Sequence, residues 1–436
     1  MNTRGTLLSA AIVVIVLGAL HGWTVAPTIA VLHNTVDSAE LVSVAAVLGV
    51  AHPTGEAIWL PLARLALEVV PAEEPALRTN LLSVALMALA GALVAVAARR
   101  WRPETPWWGA TIAGLLFGLA PVVWAQAIVT EVYALQAVIA ALALILGADA
   151  VEGRRWRPFA FVLGLLVASH LTGLALAVPL LVAALAGPRR PRGREAAWCL
   201  ALFVLPLLYC AAYLWLRADA EIAWGDTGTL RGLLDHLGGS TYREALDLAP
   251  GAVLAALPET VRRVLEQFPP PAWLLLIPGT LAVVRTRGRL ALVLFGWGTA
   301  LVLFVSGYLV LGREDSLQGT TMALALVAGW GAVDVWEWIA GRLSERSARA
   351  ALGLVVAGLF GVWAVWVGDD VSLRGDTTLV DEARARLAEV GDFGHIQTGR
   401  DRETFPLWYV TTVLGERADV TIIDERLNAP TVGPRP

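Results

Sequence analysis

The chain has 436 residues, a formal net charge of -4 and a composition that is 57% apolar but only 16% charged. In soluble domains about a quarter of the residues are charged, so this composition excludes an ordinary soluble protein and predicts a polytopic membrane protein. The two cysteines, Cys199 and Cys210, lie on one apolar run and are too far apart on a helix to form a disulfide.

Apolar runs that approach or exceed the roughly 20 residues needed to cross a bilayer recur along the chain. The first run resembles a signal-peptide core, but no small-x-small cleavage site follows it. His21, Gly22 and Trp23 are typical of an interfacial exit, so we interpret the run as a true span. We therefore expect an all-α polytopic fold with about eleven transmembrane helices, near 6–25, 78–98, 107–125, 130–149, 157–169, 171–187, 196–216, 272–284, 289–311, 319–340 and 350–368.

The predicted spans near 157–169 and 171–187 are short for two full crossings. His170 lies between them in the stretch SHLT. An imidazole between two apolar helices costs free energy unless it has a partner, and short helices inside a membrane usually line a cavity. We expect His170 to lie in a polar turn at such a cavity.

Arginine is concentrated in five short connections, and all five fall on one side of the membrane when the spans are counted in order. The positive-inside rule places this side, and with it the amino terminus, in the cytoplasm. The opposite side carries two large external loops, near 26–77 and 217–271, and the tail. The basic connections are 99–102, 154–157, 188–194, 285–289 and 342–349.

The last part of the chain, 369–436, differs in composition from the transmembrane domain predicted at 1–368. Charged residues return, and HIQTGRDRETFPLWYVTTVLGERADVTIID has the pattern strand, loop, helix, strand. We predict a small extracytoplasmic α/β domain. About 65 residues bury too little surface to fold stably on their own, so we expect this unit to pack against the membrane domain or a partner.

The stretch DSAELVSVAAVLGVAHPTG in the first external loop brings charged groups to the membrane face. Asp37 and Glu40 are three residues apart, so on a helix they share one face. Desolvation and a second carboxylate both raise a carboxyl pKa, which suits a general base. Together with His52, which ends the helix before Pro53, the acids also form a set that can bind a divalent metal ion. The alternative is that Asp37 caps the helix and Glu40 completes a capping box.

Several motifs, taken in order, resemble the bacterial DUF2723 family, whose relatives include the animal transmembrane protein 260 O-mannosyltransferases. The segment VDSAELVSVAAVLGVAHPTGEAIWLPLARLA, followed by RTNLLSVALMALA, matches the family pattern except that Ala39 replaces a glycine and Thr54 replaces the second proline. Neither change removes a reactive group. Further matches are TEVYALQ, SHLTGL, WGDTGTLRGLLDHLGGSTYRE, TGRDRETFPLWYV and GERADVTIID, so the resemblance covers nearly the whole chain.

The resemblance implies a membrane glycosyltransferase of the GT-C fold in a bacterial cytoplasmic membrane, with a polyprenyl-phosphate sugar as donor. Asp37 matches the family's acidic position and is the implied catalytic base, assisted by Glu40. Attack of an acceptor hydroxyl at the anomeric carbon, with departure of the lipid phosphate, inverts the configuration. Mannose as the transferred sugar is implied only by the better-known relatives of the family. The acceptor is a protein or a glycan, and no nucleic-acid partner is expected.

A departing phosphate is stabilised by cations and hydrogen-bond donors on the external side. His52 and His170 are expected to act as neutral donors, and Trp224 to stack on a sugar face. Each residue also has a structural interpretation: a lone interfacial arginine often snorkels, and Arg313 can pair with Asp315. The predicted substrate-binding residues are His52, Arg64, Glu131, Tyr133, His170, Trp224 and Arg313, with Arg78 and Arg217 as further candidates.

Two other classes of function remain open from the sequence. A transporter or flippase of lipid-linked sugars predicts ionisable residues at mid-membrane depth and broken helices in both halves, whereas the predicted spans are almost uniformly apolar. A non-catalytic scaffold would leave Asp37, Glu40 and His52 without a chemical role. A divalent metal ion is the one cofactor that the residues suggest.

Overall fold

The computed structural model describes residues 3–286, 288–342, 346–427 and 431–433; Arg287, in one of the predicted basic connections, lies outside them. Most of these residues are helical. The helices are α1 Thr3–Thr24, α2 Asp37–Val47, α3 Leu60–Val69, α4 Pro75–Trp101, α5 Trp107–Gly118, α6 Pro121–Ala127, α7 Tyr133–Val151, α8 Trp156–Ser169, α9 Leu174–Leu185, α10 Gly193–Leu216, α11 Leu230–Leu237, α12 Pro250–Leu265, α13 Pro270–Thr286, α14 Gly288–Gly307, α15 Gln318–Ala340, α16 Arg346–Val371, α17 Thr378–Ala388 and α18 Asp401–Trp408.

Seven helical segments in the described part of the chain are long and apolar enough to cross a membrane; they belong to α1, α4, α7, α10, α14, α15 and α16. Two bent pairs, α5 with α6 and α12 with α13, raise the number to nine if each pair is one span. The helices α8 and α9 are apolar but shorter. The predicted all-α membrane fold is confirmed.

Two predicted segments differ from the structure at prolines. The span predicted near 107–125 bends by 72° between α5 and α6. Ala120 is extended there, because a residue before proline is disfavoured in the helical region and Pro121 begins the next helix. The segment 250–265, predicted to lie in an external loop, forms α12 and meets α13 at 102° across Pro269 and Pro270.

The core of the bundle is formed by α4, α7 and α15, while α10 and α16 expose most of their apolar surface. Helix α4 packs against α1, α5 and α7. Small residues permit this close approach. A Cβ at Gly114 would lie 2.6 Å from the carbonyl oxygen of Gly91, so the crossing of α4 and α5 requires glycine there.

The tail contains the predicted strand, helix and strand. Strand β1 (His395–Thr398) pairs in parallel with β2 (Thr421–Asp424), and α18 lies between them in the chain. A short third strand, β3 (Thr431–Val432), pairs antiparallel with β2. Helix α18 packs on α2 in the first external loop. The predicted boundary between 1–368 and 369–436 stays a prediction.

Candidate functional site

Helix α2 begins at Asp37 without a side-chain cap. Its N-cap residue is Val36, whose apolar side chain forms no capping hydrogen bond. The capping-box interpretation of Asp37 and Glu40 is therefore wrong. Both carboxylates lie in the first turn, where the helix dipole favours negative charge.

Glu40 is fully buried and forms a two-point contact with His52. One carboxylate oxygen accepts the backbone N–H of His52 at 2.8 Å, and the other contacts its Nδ1. Helix α2 ends at Val47 rather than at His52, and the turn before Pro53 directs the imidazole back to the acid. Burial lowers the pKa of His52, but Glu40, together with Tyr242 and Asp37, more than offsets this and raises that pKa well above its usual value. This raised pKa favours a charged imidazole paired with the Glu40 carboxylate over the neutral donor that the sequence analysis expects.

Asp37 lies half-buried at the wall of a cavity, one helical turn before Glu40. Burial raises the pKa of Asp37 to about 6, since the opposing effect of the His52 cation is smaller than the cost of desolvation, and Glu40 raises it further. A carboxyl group with this pKa can exchange a proton near neutral pH, which suits a general base.

The cavity beside Asp37 has a volume of about 410 Å³. Its lining includes the ionisable residues Asp37, His52 and Glu131 and the apolar residues Leu301 and Phe304 of α14. It therefore combines ionisable groups with a wall suited to a lipid chain. Of the residues predicted from the sequence, the cavity is lined by Asp37, His52, Glu131, Tyr133, His170 and Arg313.

Glu131, Tyr133 and His170 meet at one edge of this cavity. His170 lies in the turn between α8 and α9, where its Nδ1 accepts the backbone N–H of Thr172 at 3.3 Å. Its ring centroid is 5.3 Å from that of Tyr133. Burial raises the pKa of Glu131 well above its usual value, and Asp37 and Asp315 add to the shift. This shift favours the protonated carboxyl, which can donate a hydrogen bond.

Three of the four candidate arginines bond to backbone carbonyls rather than facing the cavity. Arg217 donates to the carbonyls of Leu48 at 2.5 Å and Val47 at 2.8 Å. Arg64 contacts the carbonyl of Ala46, and Arg78 contacts that of Ala72 at 2.7 Å. The carbonyls at the carboxyl end of α2 lack an intrahelical partner and require donors, which Arg217 and Arg64 supply.

Arg313 lines the cavity, but it does not pair with Asp315. It donates to the carbonyl of Tyr308 at 3.0 Å, whereas Asp315 pairs with Nδ1 of His33 at 2.6 Å. The pairing of His33 with Asp315 joins two distant loops, so no local pattern could reveal it.

Trp224 lies away from the cavity wall and packs against Phe405 of the tail, with ring centroids 6.1 Å apart.

Two cavity residues that the sequence analysis missed are Tyr242 and Arg243, in the stretch STYRE of the second external loop. Arg243 is exposed, and its guanidinium has no hydrogen bond or ion pair with any other residue that the structure describes. Both residues lie in WGDTGTLRGLLDHLGGSTYRE, one of the motifs that resemble the family, so the sequence offered a signal for them.

The ligand atoms of Asp37, Glu40 and His52 lie within 4.8 Å of one another, which is close enough to suggest a metal site. However, both oxygens of Glu40 are occupied by His52, and the imidazole nitrogen that faces the acids is the one bonded to Glu40. Glu40 and His52 pair with each other, and a divalent ion held by Asp37, Glu40 and His52 would take the place of the proton on His52, because a metal-bound imidazole is neutral.

The whole chain has the fold of known GT-C membrane enzymes. It aligns with the crystal structure of ArnT from Cupriavidus metallidurans bound to undecaprenyl phosphate, with a TM-score of 0.58 and 16% identity over 97% of this chain and 90% of that one. It also aligns with the Archaeoglobus fulgidus oligosaccharyltransferase AglB in complex with an inhibitory peptide and a dolichol-phosphate, with a TM-score of 0.52 and 11% identity over 93% of this chain. This chain spans 63% of that longer protein.

These likenesses define the class: an integral membrane protein of the GT-C fold. Residues 37–190 match the model of the protein O-mannosyl-transferase TMEM260 N-terminal domain, which confirms the resemblance over the segment that begins at Asp37. No curated protein sequence matches the chain significantly.

Proposed function

We propose that this protein is a glycosyltransferase that moves a sugar from a polyprenyl-phosphate donor to a hydroxyl acceptor. The observation that carries the proposal is the position of Asp37 in a cavity that combines arginine side chains with an apolar wall. A donor with a lipid tail keeps its sugar phosphate at the membrane face. The neighbours of the same fold were solved with undecaprenyl phosphate and with a dolichol-phosphate.

The donor phosphate fits the side of the cavity that carries Arg243 and Arg313. Guanidinium groups form paired, charge-assisted hydrogen bonds with phosphate oxygens, and these strengthen as negative charge develops on the leaving group. The neutral Glu131 carboxyl and the His170 imidazole supply further donors. The apolar side at Leu301 and Phe304 accommodates the first part of the lipid chain.

In the proposed reaction Asp37 is the base. It removes the proton of the acceptor hydroxyl as the oxygen attacks the anomeric carbon, and the bond between that carbon and the phosphate oxygen breaks. The electron pair leaves with the polyprenyl phosphate, and the configuration inverts. The His52 cation, held by Glu40, keeps Asp37 ionised against the effect of burial. No step is derived through a metal ion.

The acceptor approaches from the side of the tail. Helix α18 packs on α2. Burial raises the pKa of Asp401 at the start of α18, Arg426 opposes this rise, and Glu40 adds a smaller contribution to it. We propose that this face is extracytoplasmic and that the amino terminus is cytoplasmic, as the arginine-rich connections indicate. The name of the matching family model supports mannose as the sugar and a protein hydroxyl as the acceptor.

The test is sugar transfer by the purified full chain in lipid nanodiscs, with a panel of short-chain polyprenyl-phosphate sugars and membrane-derived acceptors. Asp37→Asn should reduce transfer by about 100-fold or more, because it removes the base and keeps the size of the side chain. Asp235→Asn is the matched control, since Asp235 is an exposed carboxylate of α11 outside the cavity wall.

Equal transfer by wild type and a folded Asp37→Asn variant would overturn the role of Asp37. Absence of transfer with every donor, together with movement of the lipid-linked sugar across vesicles, would identify a flippase instead. The anomeric configuration of the product, measured by NMR, tests inversion separately.

A further inference from the structure

A second cavity, independent of the candidate site, is surrounded by arginine. It lies where α8 begins and where the connection 188–192 leads into α10, and its volume is about 410 Å³. Its charged lining consists of Arg155, Arg157, Arg189, Arg190, Arg192 and Glu195.

The positive charge of this cavity is only partly balanced. Glu195 is engaged by Arg157 through contacts of 2.6 and 3.1 Å. Arg155 lies 3.7 Å from Asp149, a carboxylate that Arg100 and Arg154 already contact. In the part of the chain that the structure describes, Arg189, Arg190 and Arg192 have no ion pair. Their guanidinium groups therefore remain available to an anion.

The wall of the cavity is fixed by contacts within the protein. The indole N–H of Trp156 donates to the carbonyl of Arg189 at 3.1 Å, which ties the connection to α8. Gly153 has a φ of 81°, and a Cβ there would lie 2.4 Å from that of Arg189. The arginine-rich connection thus has a defined path.

The cavity lies at the end of the bundle opposite the candidate site. Helix α8 runs from Trp156 at this cavity to Ser169, next to His170 at the other one. Its 14 residues span about 21 Å at 1.5 Å per residue. Helix α10 likewise runs from Gly193 near this cavity to Leu216, beside the contacts of Arg217 with α2.

The rim of the cavity continues into a surface that faces lipid. On α10, Trp198 is 48% exposed and Leu200 is 64% exposed. The Arg157 guanidinium lies 6.0 Å from the Trp198 ring centroid. Apolar side chains exposed on a membrane helix contact acyl chains, so an occupant can place a charged group among the arginines and its hydrocarbon along α10.

We propose that this cavity binds the phosphate head group of an anionic phospholipid. Guanidinium groups bind phosphate oxygens in pairs, and basic pockets between transmembrane helices select acidic head groups. A free phosphate would use the same arginines but would gain nothing from the apolar surface of α10. A lipid bound here would hold the short helix α8 against α10 at the membrane interface.

The experiment is native mass spectrometry of the full chain, released from an uncharged detergent in the presence of phosphatidylglycerol or phosphatidylcholine of equal chain length. Wild type should retain phosphatidylglycerol with at least about tenfold higher affinity. The variant carrying Arg189→Gln, Arg190→Gln and Arg192→Gln should lose this preference. The matched control carries Arg285→Gln, Arg289→Gln and Arg342→Gln, which remove the same charge elsewhere, and should keep it.

Two further arms keep the result interpretable. Glu195→Gln removes the cavity's carboxylate and should tighten phosphatidylglycerol binding, an outcome that misfolding cannot produce. Inorganic phosphate at millimolar concentration should leave the bound lipid in place. Equal retention of both lipids by wild type, an unchanged preference in the cavity variant, or displacement by inorganic phosphate would each overturn the proposal.

Discussion

At the scale of single residues, the ionisation of Asp37 depends on two neighbours with opposite effects. Burial is the largest influence and favours the neutral acid, the His52 cation opposes it, and Glu40 reinforces it. Glu40 also keeps His52 charged, because burial would otherwise favour the neutral imidazole. The charge of His52 therefore controls the basicity of Asp37.

The first prediction is a pH profile for sugar transfer. Asp37 must be ionised to accept a proton, and burial raises the pKa of Asp37 to about 6. The rate should be highest above this value and fall about tenfold for each pH unit below it. Initial rates measured from pH 4.5 to 8 with saturating donor test this. A rate that stays constant from pH 5 to 7 would contradict the assignment of Asp37 as the base.

A second prediction concerns Glu40→Gln. Without the carboxylate, the pKa of His52 should fall and the neutral imidazole should gain, because burial lowers that pKa and both contributions of Glu40 are lost. Asp37 then loses the larger, favourable effect of the cation as well as the smaller, unfavourable effect of Glu40. The pKa of Asp37 should rise, so the acid limb of the pH profile should move to higher pH.

The measurement for Glu40→Gln is the same pH profile, since a merely structural role would lower the rate without moving the limb. Glu68→Gln is the matched control, because Glu68 is exposed and pairs with Arg64 away from the cavity. A limb at the wild-type pH in the folded Glu40→Gln variant would show that Glu40 does not act through His52.

At the scale of elements, α2 is held at its carboxyl end by the second external loop. The N–H of Val50 donates to the carbonyl of Ile222 at 2.9 Å, and the N–H of Trp224 donates to the carbonyl of Val50 at 3.1 Å. Tyr213 at the end of α10 donates its hydroxyl to the carbonyl of Gly49 at 3.0 Å. These contacts fix the direction in which α2 presents Asp37.

Gly49→Ala tests this anchoring. A Cβ at Gly49 would lie 2.2 Å from the carbonyl oxygen of Ile222, so the two backbones must separate. The variant should lose about 1–3 kcal/mol of stability, as overpacked sites do, and its transfer rate should fall because α2 shifts. Thermal unfolding in detergent and the transfer assay measure the two effects.

The control for Gly49→Ala is Gly251→Ala, at an exposed position of α12 where a Cβ has no neighbour within 4 Å. It should be neutral or slightly stabilising, because glycine is unfavourable in a helix. Equal stability of the two variants would show that the contact between α2 and the second loop is not tight.

Periodicity and motif spacing predict the elements better than they predict their contacts. The turn at His170 follows from two short apolar runs, and the strand and helix pattern of the tail follows from its composition. The partners of Asp315 and Arg217 do not follow, because each is set by a loop or helix more than 100 residues away in the chain. A lone arginine presents the same local pattern whether it binds a helix end or a phosphate.

At the scale of the whole molecule, the tail is joined to the bundle at its first external loop. Tyr409, in the turn after α18, is fully buried. Its hydroxyl contacts the Glu74 carboxylate and accepts the N–H of Ala76 at 3.2 Å. Glu74 also accepts the hydroxyl of Thr28 at 2.6 Å. One tyrosine thus links the tail, the start of α4 and the loop that precedes α2.

The last prediction is that Tyr409→Phe loosens the tail without unfolding the bundle. The substitution keeps the ring but leaves the Ala76 N–H without its partner and Glu74 with only the Thr28 hydroxyl, which costs about 1–3 kcal/mol. Hydrogen exchange should become faster in peptides that cover β1 and β2 and stay unchanged in α7.

Tyr209→Phe is the control, since Tyr209 is 44% exposed on α10 and distant from the tail in the chain. If the tail positions the acceptor, transfer by Tyr409→Phe should show a raised KM for the acceptor and an unchanged KM for the donor. Unchanged exchange in the tail would mean that packing of α18 on α2, rather than this hydroxyl, holds the two parts together.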